Sequence, residues 1–375
     1  MREPSKECEL LFDISKGNFS IASLEGINES YLFTLAQANG LIPLVDKALE
    51  ASRTRTPEDS FKETALQIKR TNFFMSAQLL YLIDLLQKQN ISLIPLKGPL
   101  LSQHAYKDLS LRPFSDLDIL VFEKDLPKVA HTLLKLGYES EHSLEALSHP
   151  YVLQKSSDIS FVHPQSQVII ELHWKLLKSA SHSLSDINAL FQHSIKHNFQ
   201  NTQLASLPLE EEFLYLCVHG AKHRFERIEW MNDINQLFIL YKNTFNWDKL
   251  FFLAKEESYQ TPYALALKIL QQRYQQNIPH KKSQALMRSK TVLSLYKKVF
   301  ILHANDYILK PKKEGFRWME FYFSFQLEDT LRRKIILLRS LFFPLYIDDI
   351  LRIKPLPKHL SFLYYLARFK RLLKL

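Results

Sequence analysis

The sequence predicts an α+β chain: a few short strands within residues 91–175, set between N-terminal helices (1–90) and a large all-α C-terminal part (176–375). Three observations predict it. Residues 60–89 place Leu66, Phe73, Phe74, Ala77, Leu80 and Leu85 near one side of a helix, the period of an amphipathic helix rather than a strand. Two short apolar runs, 91–96 and 117–122, have the length of strands, and Asp116 and Asp118 alternate with Leu117 and Ile119 at the second, which is the period of a strand. Beyond Trp174 the apolar residues return to helical spacing almost to the end of the chain.

In order along the chain, residues 30–50 show helical spacing broken at Gly40 and Pro43, so two short helices are expected. The long helix over 60–89 ends at Gln89-Asn90 and feeds a strand over 91–96. Lys97-Gly98 is then a turn. Residues 99–106 form a helix with proline at its start, where the missing N–H costs nothing. A loop over 107–115 leads into the second strand, 117–122, and a helix over 125–136 is closed by Gly137. Residues 159–162 and 168–172 flank His-Pro-Gln-Ser-Gln and read as a hairpin. Helices follow over 210–224, with three glutamates in the first turn, and over 229–241, 285–303 and 317–342. The ending SFLYYLARFKRLLKL has a helical apolar side (Phe362, Leu363, Leu366, Phe369, Leu372, Leu373) and a basic remainder.

The chemistry concentrates in IPLKGPLLSQHAYKDLSLRPFSDLDILVF, residues 94–122. In a strand Asp116 and Asp118 project to one face while Leu117 and Ile119 project to the other. Two like charges side by side repel unless a cation lies between them, and Mg²⁺ accepts such oxygen-rich sites. Transfer of a nucleotidyl group is an in-line displacement at phosphorus, for which two divalent ions held roughly 3.5–4 Å apart serve both oxygens. Asp116 and Asp118 are the candidate bridging ligands. Glu171, in the apolar strand VIIELHW, is the candidate third carboxylate, since an unpaired charge there is expensive. Backbone N–H groups at the Lys97-Gly98 turn, opening a helix, suit a triphosphate. His173 shares the strand face of Glu171 and has two readings, a contact of metal or nucleotide and a structural histidine. His219 and His223 share a helix face four residues apart, with Lys222, Trp230 and Asp233 nearby in sequence. They line a nucleotide or acceptor cleft, or they pack helices. HGAKH lacks the glutamate of the zinc-protease motif.

The pattern LKG…Y…LRPFSDLDILV…LLKLGYE, then IIELHW and H…KH…W…D, resembles the uncharacterised nucleotidyltransferase family of bacteria, a branch of the DNA polymerase β-like nucleotidyltransferase superfamily. ANGLIPLVDKAL and LRIKPLP…LYYLARFKRLL extend the resemblance over most of the chain. It implies a small mixed β-sheet core with flanking helices and Mg²⁺-dependent use of an NTP, with two ions. It carries Asp116, Asp118 and Glu171 to the metal and catalytic positions and Gly98 to the phosphate loop. Where that superfamily has Gly-Ser or Gly-Gly, this chain reads Lys97-Gly98-Pro99, so Lys97 or Arg112 stands in as a cation for the absent hydroxyl. Lys97, Gly98, Arg112, Ser115, His173 and His223 are thus the expected nucleotide contacts.

Composition bounds the partners. Only two cysteines, Cys8 and Cys217, are present. They build neither a disulfide scaffold nor a zinc site and suit a reducing, cytoplasmic setting. The N-terminus does not read as a signal peptide, and no run nears the roughly 18 apolar residues of a spanning helix. The net charge of +10 is uneven: residues 261–375 hold 23 Lys and Arg against 7 Asp and Glu. A basic C-terminal third fits an anionic membrane surface or RNA, as well as a solvated face. Three functions follow as expectations: an NTP-dependent transferase with a small-molecule, protein or RNA acceptor; its tRNA-directed form; and a non-catalytic nucleotide-binding or scaffold protein at the membrane periphery.

Overall fold

The computed structural model describes residues 3–18, 24–51, 59–177, 186–310, 318–342 and 344–365. The chain opens with α1 (Lys6–Ser15), α2 (Glu29–Ala38) and α3 (Ile42–Ala51). Ser5 and Asn28 cap the first two, their side-chain oxygens accepting from the backbone N–H of Cys8 and Tyr31. The break expected near Gly40 separates α2 from α3, and Pro43 lies in the first turn of α3, where no intrahelical bond is lost.

Next come α4 (Asp59–Gln87), β1 (Leu93–Leu96), α5 (Gly98–Tyr106), β2 (Asp116–Val121), α6 (Leu126–Lys135), β3 (Glu139–Ser140), α7 (Pro150–Lys155), β4 (Asp158–Val162) and β5 (Ile169–His173). The five strands form one sheet in the order β1-β2-β5-β4-β3. Only β2 and β5 run parallel, and every other neighbouring pair is antiparallel. The sheet is mixed because the β2-to-β5 connection is long enough to hold a helix and a hairpin partner, which a parallel return requires. The two central strands are apolar on one face throughout: Leu117, Ile119 and Val121 on β2, with Ile170 and Leu172 on β5, are buried.

The remainder is helical as expected, with one correction. After α8 (Ile187–Gln192), strands β6 (Ile195–Phe199) and β7 (Thr202–Ser206) form an antiparallel hairpin where only helix was expected. Its turn residues Gln200 and Asn201 both take positive φ (46° and 64°), the two-residue geometry that matches strand twist. The alternation His197, Phe199 against Leu204, Ser206 is present in the sequence, but Gln-Asn is a weaker turn signal than Asn-Gly, and Lys and Asn dilute the strand.

The chain ends with α9 (Leu209–Lys222), α10 (Ile228–Tyr241), α11 (Trp247–Glu256), α12 (Gln260–Arg273), α13 (Lys281–Met287), α14 (Lys290–Ala304), α15 (Trp318–Leu327), α16 (Leu331–Phe342) and α17 (Ile347–Leu351). The helical region expected over 285–303 comprises α13 and α14, divided where Ser289 caps α14 by accepting from the Val292 N–H. Most of the basic terminal helix expected from the sequence, residues 366–375, lies outside the described residues. Among the described residues no helix is long and apolar enough to cross a membrane.

The chain forms two units, each built from separated segments. One comprises residues 1–76, 99–114 and 208–329 and is helical. At its centre α9 is buried along almost its whole length, including Phe213, Leu214, Leu216, Cys217 and Ala221. A Cβ at Gly220 would overlap the ring of Phe225, which is fully buried. Gly220→Ala is therefore expected to lower stability by about 1–3 kcal/mol through overpacking, read as a lower urea midpoint at unchanged slope. The other unit comprises residues 77–98, 115–207 and 330–375 and holds the sheet. Within it, Tyr364 stacks on Tyr151 at 4.5 Å and, with Ile350, Val152 and Ala146, forms a small apolar cluster.

Candidate active site

The turn out of β1 is strained. Lys97 and Gly98 take φ values of +50° and +47°, two left-handed residues in succession. For lysine this conformation costs roughly 1–2 kcal/mol, and such strain persists where the surroundings enforce it. A Cβ at Gly98 would meet only the Asp116 carbonyl, at an ordinary 3.7 Å. Backbone angle rather than space therefore calls for glycine. The result is that Lys97 Nζ lies 3.0 Å from Asp118 Oδ2.

Strand register does the rest. Asp118 stands opposite Leu96 on β1 and opposite Glu171 on β5. Because β5 runs parallel to β2, Glu171 and His173 project from the same sheet face as Asp118. His173 Nε2 lies 2.9 Å from Asp118 Oδ1 and 3.5 Å from Glu171 Oε2. The side chain of Asp118 is 3% exposed and that of Glu171 33%. One ligand atom from each of Asp118, Glu171 and His173 falls within 4.8 Å of the others, so the three could hold a metal ion. Asp116 shares the strand face of Asp118, is partly buried, and lies outside that group of three. Ser115 directly precedes β2.

Burial alone would raise the Asp118 carboxyl, but the Lys97 ammonium and the His173 imidazole outweigh it and hold the group well below the carboxylate range. For His173 burial opposes the charge, yet hydrogen bonds to Asp118 and Glu171 push its pKa up to about 9. A histidine whose folded pKa exceeds its ordinary 6.5 contributes stability that is complete below pH 6.5 and is lost as pH rises through about 9. The depressed Asp118 carboxyl contributes stability present above its ordinary 3.8 and lost as pH falls. In chelator, urea-unfolding free energy is thus expected to decline from pH 6.5 to pH 9, and His173→Gln should flatten that limb. An unchanged slope in the variant would count against this ion pair.

The remaining expected residues lie in the helical unit. Arg112 is 6% exposed, and its Nε and Nη2 donate to the two carboxylate oxygens of Asp233 at 2.8 and 2.9 Å, with Glu229 3.6 Å away. Tyr106 Oη donates to the same Asp233 at 2.7 Å. His223 packs between rings, 4.8 Å from His219 and 4.9 Å from Trp230. The structure thus gathers Lys97, Asp118, Glu171 and His173, with Gly98, Ser115 and Asp116 adjoining them in sequence. Arg112 and His223 lie in the helical unit, with the partners just given. The sequence does not show the pairing of Lys97 with Asp118. The signal for it is the left-handed turn, which a sequence shows only as a glycine after a lysine.

The donor set suits a divalent cation. Donor atoms bonded at about 2.1 Å to one ion stand roughly 3 Å apart, close to the spacings among Asp118, His173 and Glu171. The buried Asp118 carboxylate already draws two cationic groups. Comparison with known proteins agrees in kind. Residues 25–275, about two thirds of the chain, match a family model described as uncharacterised nucleotidyltransferase. No curated protein matches. A crystal structure of an antigenic nucleotidyltransferase-like protein from Paracoccidioides brasiliensis is similar over 58% of this chain and 95% of its own, at 12% identity and a TM-score of 0.33, a likeness too loose to carry an argument. With a mixed sheet that sets acidic side chains beside a left-handed turn, and with a family model covering most of its length, this chain belongs to the uncharacterised nucleotidyltransferase family.

Proposed function

We propose that the protein transfers a nucleotidyl group from an NTP to a hydroxyl or phosphate of an acceptor and releases pyrophosphate. The observation that supports this most is the convergence of Asp118, Glu171 and His173 beside the Lys97-Gly98 turn, in a chain of a nucleotidyltransferase family. Asp118, Glu171 and, on the same face, Asp116 would hold Mg²⁺, two ions being the expectation. When bound it would activate the acceptor oxygen and neutralise charge on the departing pyrophosphate. The chain's own groups do the positioning. Gly98 opens α5, whose N-terminal N–H groups suit the β- and γ-phosphates, and the Lys97 ammonium supplies the charge that a loop hydroxyl does not. Ser115 adds a hydroxyl at the entrance of β2. Glu171, the more exposed of the two clustered carboxylates, takes the proton as the acceptor oxygen bonds to the α-phosphorus and the bond to pyrophosphate breaks.

The experiment incubates the protein with Mg²⁺, each α-labelled NTP and fractionated cell extract. Label appearing on a heavier species, matched by pyrophosphate release, is the expected result. A second reading has one observation in its favour: both oxygens of Asp118 are already met by cationic groups of the chain. Such a site could bind a nucleotide without transfer. Calorimetric binding of Mg-NTP with neither label transfer nor pyrophosphate release, across all fractions, would select it.

A further inference from the structure

We infer that His173 is itself a metal ligand and that it turns the site toward Mn²⁺ and away from Mg²⁺. The inference rests on the metal-dependent reading above and refines it.

An all-oxygen magnesium site was available to this sheet face. Asp116 lies two residues from Asp118 and projects on the same side of β2. The group whose donor atoms converge nevertheless contains His173 and not Asp116. His173 presents a single nitrogen, Nε2, to both carboxylates, 2.9 Å from Asp118 Oδ1 and 3.5 Å from Glu171 Oε2. A cation set between that nitrogen and the two carboxylate oxygens would meet all three donors. The other ring nitrogen, Nδ1, is buried without a hydrogen bond among the described residues. Here the ring directs its polar chemistry wholly at the two carboxylates.

Lys97 sharpens the choice. Its ammonium lies against Asp118 Oδ2, leaving Oδ1, the oxygen beside His173, to face an ion. Two carboxylates with one cation already in place attract a divalent ion less strongly by charge alone than three carboxylates would, so the identity of the third donor matters more. Mg²⁺ favours oxygen and sheds water reluctantly, whereas first-row transition ions accept imidazole nitrogen readily. Mn²⁺ combines that tolerance with acceptance of carboxylates and phosphate oxygens.

The test titrates the full-length protein with Mn²⁺, following the free-ion signal by electron paramagnetic resonance, and repeats the titration with Mg²⁺ as competitor. Wild type should favour Mn²⁺ over Mg²⁺ by about tenfold or more. In His173→Gln and His173→Ala, checked for fold by circular dichroism, that preference should fall about fivefold while Mg²⁺ affinity changes by less than about twofold. Mn²⁺ bound with the same preference in wild type and variants would overturn the inference and leave the metal site standing. Binding of neither ion by wild type would overturn the metal-dependent reading itself. Electron spin-echo modulation on wild type answers the same question should the variants misfold. Coupling to an imidazole ¹⁴N supports ligation by His173, and its absence in the Mn²⁺-loaded protein refutes it.

Discussion

Asp118→Asn is expected to reduce nucleotidyl transfer by about 10³-fold or more, the scale associated with losing charge stabilisation at the reacting phosphorus. The substitution keeps volume and one oxygen but removes the negative charge to which both Lys97 and His173 are drawn. An amide at this position offers hydrogens toward one of two cationic neighbours, so it weakens ion binding by repulsion as well as by loss of a ligand. The Lys97 ammonium, 14% exposed, is then left beside a neutral group, and some loss of stability should accompany the loss of activity. Glu171→Gln separates the two effects. Glu171 is one third exposed and its removal leaves the Lys97–Asp118 pair intact, so an inactive Glu171→Gln variant with wild-type unfolding behaviour would place the defect in chemistry. Single-turnover label transfer, measured beside urea unfolding for both variants, is the comparison needed. Transfer by Asp118→Asn within tenfold of wild type would remove this carboxylate from the mechanism.

Much of this site was legible because its signals are local. Alternation puts Asp116 and Asp118 on one face whatever the rest of the chain does, and a glycine opening a helix after a strand is a short-range feature. The location of Glu171 in an apolar strand was legible for the same reason. What the sequence does not encode locally is which strand lies beside which, and in what register. That β5 runs parallel to β2 with Glu171 level with Asp118 depends on the crossover between them. The nearness of His173 to Asp118 follows from that register, so sequence alone left its role open. The β6–β7 hairpin escaped notice because its strands carry Lys, His and Asn, and its turn is Gln-Asn. Such residues form strands here through pairing rather than propensity. For Arg112 the sequence shows the chemistry of the side chain but not its partner. An arginine four residues before an Asp-x-Asp motif reads as a phosphate contact, yet its partner Asp233 is 121 residues away in sequence.

Arg112→Ala should accordingly act on stability first. Arg112, Asp233 and Glu229 are each less than a tenth exposed, and burial opposes the arginine charge until Asp233 and Glu229 outweigh it. Truncating the arginine removes the cation paired with the buried Asp233 carboxylate, to which Tyr106 still donates, and leaves Glu229 paired with Arg227. Breaking a buried pair from one side costs about 3–5 kcal/mol, more than any other single substitution considered above. Arg112→Lys should recover only part of this, since an ammonium cannot present two parallel N–H groups to Asp233. The Arg112→Met, Asp233→Leu double variant removes the paired charges together, leaves Glu229 with Arg227 and should recover most of the loss, because an apolar replacement of similar volume incurs no desolvation penalty. Chemical unfolding of the four proteins, with Mg-NTP affinity measured alongside, distinguishes this role from the phosphate contact that the sequence suggested. If Arg112→Ala kept wild-type stability and lost nucleotide affinity, the bidentate pair with Asp233 would be incidental and the arginine would belong to the nucleotide. The expected order, from least to most stable, is Arg112→Ala, Arg112→Lys, then the double variant and wild type together, and it follows from how well each matches the buried charge of Asp233.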